Sequence, residues 1–403
     1  MLDNGDLIES NNYVCAACFG NQGIINLIND EGDLKADQKC DYCKKNDSKL
    51  LLLDTVLVHI LGSIYFGYAN PVEVAYRDEG EFITEKNLNT AEVLYELGLK
   101  CNNNKLFEDI CSHIRNDYWC ELQPYLSEEH EVLLYSWDSF SNHIKNKSRF
   151  VFFEQDTEPF DDQYFPPSLI LNYIGSAIKE LSLFKILQKD EPIYRCRHLC
   201  IDNKDHWNAK GLGTPLPEHT FGNPNRMNPY GIPMFYGAAN KLTAIREIID
   251  PNDESYNLKE FVTGVFHSNK ELLLVDLTKS FDEIDYFDHS NQHLIASKLF
   301  LIKFIEIINK PIVKSESNSA YIEYIPTQVV TEYFKIILTN SDGHRVNGFQ
   351  YKSSKDGEPC VVLFVKQDEC DDTPDITNKT LLTLTKIECD SNDDIDKMLE
   401  DEW

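Results

Sequence analysis

Four cysteines near the start of the chain fall in two pairs, Cys15-Ala16-Ala17-Cys18 and Cys40-Asp41-Tyr42-Cys43, with 21 residues between them. Two CxxC turns at that spacing can bring four thiolates to one tetrahedral zinc with no coordination position left open for chemistry. Two disulfides are the competing reading, and a reducing compartment favours metal. A second chemical element lies far downstream, where Asn225-Arg226-Met227-Asn228-Pro229-Tyr230-Gly231 reads as a turn and Ile232–Tyr236 as a short buried strand. A helix follows, with Leu242, Ile245 and Ile249 at helical spacing. At 100° per residue those three fall within about 60° of one another, whereas Glu247 lies roughly 140° from Leu242. Its carboxylate therefore points off the core. A solvated helix face is the bland alternative.

The elements that must carry these residues follow from composition. With 403 residues the chain exceeds the size of one core, and two or three domains are expected. The net charge of −29 argues against a nucleic-acid binder, since phosphate-backbone affinity comes from clustered Lys and Arg. Any bound anion must meet a local basic pocket. Met1–Glu9 carries Asp3, Asp6 and Glu9 rather than a charged-then-apolar leader, so export by a cleaved signal is not expected and the chain is placed in the cytoplasm. Leu50–Tyr68 is apolar enough to raise a membrane span, but Asp54 and His59 interrupt it and a buried core helix is predicted. Amphipathic segments at Thr90–Leu99, Lys105–Asp117 and Glu128–Tyr135 make the region to about residue 150 mostly helical.

Glu154–Pro167 reads as a linker and Ser168–Leu187 as a helix. Short strands are then predicted at Ile193–Arg197, Met234–Tyr236, Phe261–Phe266, Leu272–Leu277 and Cys360–Val365, with helices around Leu242–Ile249, His293–Ile308 and Thr327–Ile337. That mixture predicts an α+β domain with a split or curled sheet. The boundaries are set at 1–48 for a zinc ribbon, 49–187 for a helical domain, 188–370 for the α+β domain, and 371–403 for a terminal strand and acidic tail.

Standard signatures fail in the second half. Gly211-Leu212-Gly213 begins a dinucleotide fingerprint, but Leu216 stands in place of the third glycine. His289 and His293 lack a third ligand at metal spacing and read as a surface or core pair. Cys101, Cys111, Cys120, Cys196 and Cys200 read as small core residues.

Taken in order, Tyr194-Arg195-Cys196-Arg197, Asn225-Arg226-Met227-Asn228-Pro229, Phe235-Tyr236-Gly237-Ala238, Glu247, Tyr324-Ile325-Pro326-Thr327-Gln328 and Gly348-Phe349-Gln350-Tyr351-Lys352-Ser353 resemble the RES domain over about residues 190 to 370. The part before it resembles the HEPN-like extension found ahead of some RES domains. It contains no arginine followed four to six residues later by a histidine, as a HEPN ribonuclease would need. Phe349 departs from the more usual aliphatic residue and should alter packing rather than chemistry.

The resemblance implies an ADP-ribosyltransferase-like fold and an NAD-degrading toxin. It assigns catalytic roles to Arg195, Glu247 and Ser353, and contacts with NAD to Arg226 and Tyr236. The residue types suit that chemistry. Cleaving the nicotinamide–ribose bond creates an oxocarbenium-like centre that a carboxylate stabilises, and guanidinium forks bind phosphate oxygens in pairs. The aromatic face of Tyr236 would attract a cationic nicotinamide. Ser353 would hold substrate through its hydroxyl, since no nucleophile elbow surrounds it. NAD would be a substrate and zinc a structural cofactor, with transfer of ADP-ribose to water or phosphate. A protein ADP-ribosyltransferase and a non-catalytic partner-binding module are the alternatives. An antitoxin or sensor protein and a second copy of the chain are the partners considered, with no membrane and no nucleic acid among them.

Overall fold

The computed structural model describes residues 6–391 apart from 36–37, 72–76, 79–80, 83–87, 117, 122–128, 152–165, 200–206, 221–224, 250–259, 282–283, 310–319 and 375–378, together with 394–395 and 398. Residues 154–165 of the linker read at Glu154–Pro167, and Cys200, lie outside the described residues. The chain divides into two units, Met1–Glu131 with Phe281–Lys298, and Val132–Ser280 with Leu299–Trp403. Each is built as α+β.

In the first unit, β1 (Tyr13–Cys15), β2 (Asp33–Leu34) and β3 (Lys49–Leu52) form a small antiparallel sheet in the order β1-β3-β2, with α1 (Gln22–Glu31) between β1 and β2. The apolar run at Leu50–Tyr68 is strand β3 followed by α2 (Leu53–Gly67), which buries Val56, Leu57, Ile60, Leu61 and Ile64. Asp54 accepts the Ser10 N–H at 2.7 Å, so the polar residues in this run serve the fold. No helix among the described residues is long and apolar enough to cross a membrane. After β4 (Tyr68–Ala69) and β5 (Leu88–Asn89) come α3 (Thr90–Glu96), started by an Asn89–Glu92 capping box, and α4 (Asn104–His113), capped by Asn103. β6 (Tyr118–Glu121) completes the unit's second small sheet.

One core joins Cys15, Cys18, Val56, Leu57, Trp119 and Phe287. Phe287 arrives from the segment 281–298, whose Asp285 carboxylate accepts the Gly23 N–H at 2.7 Å. A side chain at Gly23 would meet the Phe287 carbonyl at 2.2 Å, so this close approach requires glycine. His289, though exposed, stacks on His59 at 3.7 Å and shares a 2.9 Å hydrogen bond with the Ser63 hydroxyl, so its ring is held by packing contacts.

The second unit begins within α5 (Glu129–Asn146), which is followed by α6 (Pro167–Glu180). The helix read through to Leu187 ends at Glu180, because Ser182 turns into the left-handed region at φ 49°. Strand β7 (Phe184–Leu187) takes the remainder. Then follow β8 (Pro192–Leu199), α7 (Ala209–Leu212), β9 (Phe235–Ala238), α8 (Lys241–Ile248), β10 (Glu260–Ser268), β11 (Leu272–Asp276), α9 (Ile295–Asn309), α10 (Ile325–Ile336), β12 (Gly348–Lys352), β13 (Pro359–Leu363), β14 (Cys370–Asp371) and β15 (Leu382–Asp390).

Among the described residues the strands form one nine-stranded sheet in the order β14-β15-β10-β8-β9-β13-β12-β11-β7. It is antiparallel except at β11–β12 and β14–β15. Alternation along β8 and β9 sends Ile193 and Phe235 into a core with Val262, Phe266, Leu274, Leu363 and Leu384. Phe349 is buried on β12 and packs its ring near Phe334 at 5.9 Å.

Candidate active site

The sheet opens where β8 meets β9. β8 pairs with β10 along eight residues, yet with β9 only at Tyr194↔Ala238. Gly237 permits that pivot, since a Cβ there would lie 2.4 Å from the Ile193 side chain. Beyond the pivot the strands part, and Arg195 to His198 line a cavity of about 640 Å³ with Trp207, Arg226, Tyr236, Glu247, Tyr351 and Cys360. The Arg195 guanidinium spans the opening and donates to the Tyr236 carbonyl at 2.7 Å, where a ladder bond would otherwise stand.

Glu247 lies on the last turn of α8, exposed and directed into the cavity. Its Oε1 accepts a 2.5 Å hydrogen bond from the Ser353 hydroxyl, which is 4 % exposed at the end of β12. Ser354, rather than Ser353, lines the cavity. The helix beneath Glu247 is latched at both ends. Asn240 caps it by accepting the Thr243 N–H at 2.8 Å, and Lys241 pairs with Glu388 and Asp390 of β15 at 2.6 and 2.8 Å. On the other side Asp356, in the turn between β12 and β13, accepts from the Thr243 hydroxyl at 2.8 Å and from Arg246 at 3.1 Å. Burial alone would raise the Asp356 carboxyl. Bonds from Thr243, the Glu358 N–H, Arg246 and Ser353 outweigh it and hold the group below its ordinary range.

The opposite wall is positive. Arg195 stacks its guanidinium 5.0 Å from the Phe235 ring centre, and burial, then the neighbouring Arg197, pulls it down to about 9, still charged at neutral pH. Arg197 donates to the Gly213 carbonyl at 3.1 Å, and burial lowers it as well. The Nε–H groups of both arginines and the indole N–H of Trp207 are buried without a hydrogen-bond partner.

The third wall is the Asn225–Asn228 turn. Gln328 of α10 donates to the carbonyls of Asn225 and Asn228 at 2.9 and 3.3 Å, Thr327 bonds the Arg226 carbonyl, and Tyr236 donates its hydroxyl to Asn228 at 2.7 Å. Burial raises the Tyr236 phenol, so it stays protonated and donating. Arg226 faces the cavity while its Nη1 donates to the carbonyls of Ile308 and Asn309 at 3.1 and 3.0 Å, where the negative end of α9 lies.

In the first unit the Sγ atoms of Cys15, Cys18, Cys40 and Cys43 all lie within 4.8 Å of one another. The separations Cys15–Cys43, Cys18–Cys40 and Cys15–Cys18 are 3.4, 3.5 and 3.9 Å. Tetrahedral thiolates at a Zn–S length of about 2.3 Å stand roughly 3.8 Å apart, so the donor set and its spacing fit zinc. Among the described residues this is the cluster of potential ligands that could hold a metal. The second knuckle is braced by Tyr42, whose hydroxyl donates to Asp109 at 2.9 Å.

The residues singled out in the sequence thus fall into two clusters, the four cysteines in one unit and, in the other, Arg195, Arg226, Tyr236 and Glu247 around one cavity with Ser353 bonded to Glu247. Sequence reasoning missed Arg197, Trp207, Asn228 and Asp356 as parts of that site. Strand alternation from Arg195 contained the signal for Arg197. Asp356 gave none, because its partners Thr243 and Arg246 are more than a hundred residues away.

Comparison with known proteins finds two domains. HEPN/RES N-terminal domain 1 matches residues 33–158 and the RES domain matches residues 192–385. No curated protein matches the chain. Among solved structures, a chain of the M. tuberculosis MbcT–MbcA toxin–antitoxin complex is similar at 12 % identity and a TM-score of 0.30, covering 56 % of this chain and 96 % of that one. A likeness that low supports no functional argument. The chain thus carries a HEPN/RES N-terminal domain over residues 33–158 and, after it, a RES domain over residues 192–385.

Proposed function

We propose that the second unit consumes NAD, breaking the nicotinamide–ribose bond and passing ADP-ribose to water or phosphate. The observation that carries this reading is Glu247, oriented by Ser353 at 2.5 Å on the rim of a cavity whose other walls bear Arg195, Arg197 and Arg226. Three guanidiniums against one carboxylate suit a substrate with a diphosphate at one end and a developing cation at the other. Glu247 would stabilise the oxocarbenium as nicotinamide departs with the bonding electron pair. Ser353 would keep the carboxylate aimed, and Tyr236 would present its ring to the nicotinamide. Arg195 and Arg226 would hold phosphate oxygens. In the first unit Cys15, Cys18, Cys40 and Cys43 would hold a structural zinc, and that unit would serve to control or target the enzyme through an antitoxin or sensor protein.

Glu247→Gln tests this directly. The amide keeps the volume and an acceptor for Ser353 but removes the charge, so turnover should fall on the order of a hundredfold or more, about 3 kcal/mol. Because the side chain is exposed, folding stability should change by no more than about 1 kcal/mol. A variant that depletes NAD at the wild-type rate, or that loses activity only by unfolding, returns Glu247 to a solvated helix residue.

A further inference from the structure

We infer that Arg197 and Trp207 join Arg195 and Arg226 as donors that bind a diphosphate group in this cavity. The inference rests on the proposed nucleotide site for its natural ligand, but the binding it describes does not depend on turnover.

Arg195 and Arg197 sit two apart on β8, so both project to the same face of the strand. That face leads with Ile193 into the apolar core, and the two arginines occupy its end where β8 has left β9. Each guanidinium gives one N–H to a backbone carbonyl, Tyr236 for Arg195 and Gly213 for Arg197, which fixes its plane without neutralising its charge. Among the described residues no carboxylate lies within ion-pair distance of either arginine. Carboxylates are not scarce, since the chain has 67 acidic against 38 basic residues. Nearby Lys241 and Arg246 do take acidic partners.

Two like charges beside each other in a half-buried place are costly unless an anion joins them. The three unpartnered donors, Arg195 Nε, Arg197 Nε and Trp207 Nε1, all belong to residues lining the same cavity. A dianion with several acceptor oxygens meets those requirements, and guanidinium forks favour phosphate oxygens. Arg226 also lines the cavity, with its Nη1 committed to two carbonyls at the end of α9.

The test uses the full chain and three probes, ADP, inorganic diphosphate and adenosine, followed by calorimetry and thermal melting. Arg197→Gln should weaken ADP and diphosphate at least tenfold while leaving adenosine unchanged. It should also leave the ligand-free melting temperature equal or higher, since a like-charge contact is gone. Arg197→Lys should recover only part of the affinity. Trp207→Phe, which keeps the ring and removes the N–H, should weaken ADP several-fold with little change in melting. If Arg197→Gln melts several degrees lower and binds ADP as the wild type does, Arg197 is a brace for the Gly213 turn and the clamp is wrong. NAD cleavage with a wild-type KM in that variant would also overturn the clamp while leaving the proposed reaction standing. Tight diphosphate binding without any NAD cleavage would do the reverse.

Discussion

Glu247 and Arg197 line one cavity, yet their surroundings are opposite in kind. Around Glu247 every support is paired: Ser353 bonds the carboxylate, Asp356 gathers Thr243 and Arg246, and Lys241 is gripped by Glu388 and Asp390. Across the cavity Arg195 and Arg197 keep buried donors without partners and no carboxylate among the described residues. The paired wall holds one group in place. The unpaired wall is arranged for something that brings its own negative charge. Preorganised charge on one side and unmet charge on the other is the pattern of a site that binds an anion and reacts beside it.

Three perturbations sharpen that contrast, in falling order of their effect on consumption of NAD. Arg226 bridges the two kinds of wall, lining the cavity while holding the carbonyls of Ile308 and Asn309. Arg226→Ala should raise KM for NAD several-fold or more and cost stability of about 1.5–3 kcal/mol, the range for hydrogen bonds to a charged group. Arg226→Lys should restore the stability in part, with KM still raised because the fork is lost. A wild-type KM with collapsed turnover would contradict any contact with bound substrate.

Asp356 tests the paired wall. Asp356→Asn should loosen α8 and lower kcat by roughly fivefold, about 1 kcal/mol, with KM unchanged. It should also change the acid limb of stability. A carboxyl held below its ordinary value of 3.8 contributes stability that is fully present above that pH and is lost as pH falls through the lower folded value. The variant should therefore have a flatter stability profile below about pH 4. An unchanged acid limb together with unchanged kcat would remove Asp356 from the positioning of Glu247.

The smallest effect on turnover is expected from metal removal. Cys15, Cys18 and Cys40 share their core with Val56, Leu57 and Trp119, so a chelator should destabilise the whole first unit rather than its first 48 residues. NAD cleavage should change little. Purified protein should carry about one zinc per chain. Metal-free protein with an unchanged melting profile would sink the zinc assignment.

Local chemistry made much of this legible in the sequence. The period of Leu242, Ile245 and Ile249 placed Glu247 off the core, and the CxxC spacing placed the cysteine cluster. What could not be read is non-local. Asp285 caps the start of α1 from 262 residues away, and Phe287 enters the first unit's core from within the RES-domain match. Neither leaves a mark in local periodicity. The bond from Ser353 to Glu247, 106 residues apart, is of the same kind. The end of α6 was missed for a local reason, since Ser182 adopts a backbone conformation that serine seldom takes.

The most direct measurement is the fate of NAD itself. Purified protein incubated with NAD, with and without inorganic phosphate, should release free nicotinamide in stoichiometric amount. Mass analysis should identify ADP-ribose when phosphate is absent, and a phosphorylated ADP-ribose when it is present if phosphate is the acceptor. Intact NAD under every condition, from protein shown to be folded and zinc-loaded, would contradict the proposed reaction and leave a partner-binding module as the better description of this chain.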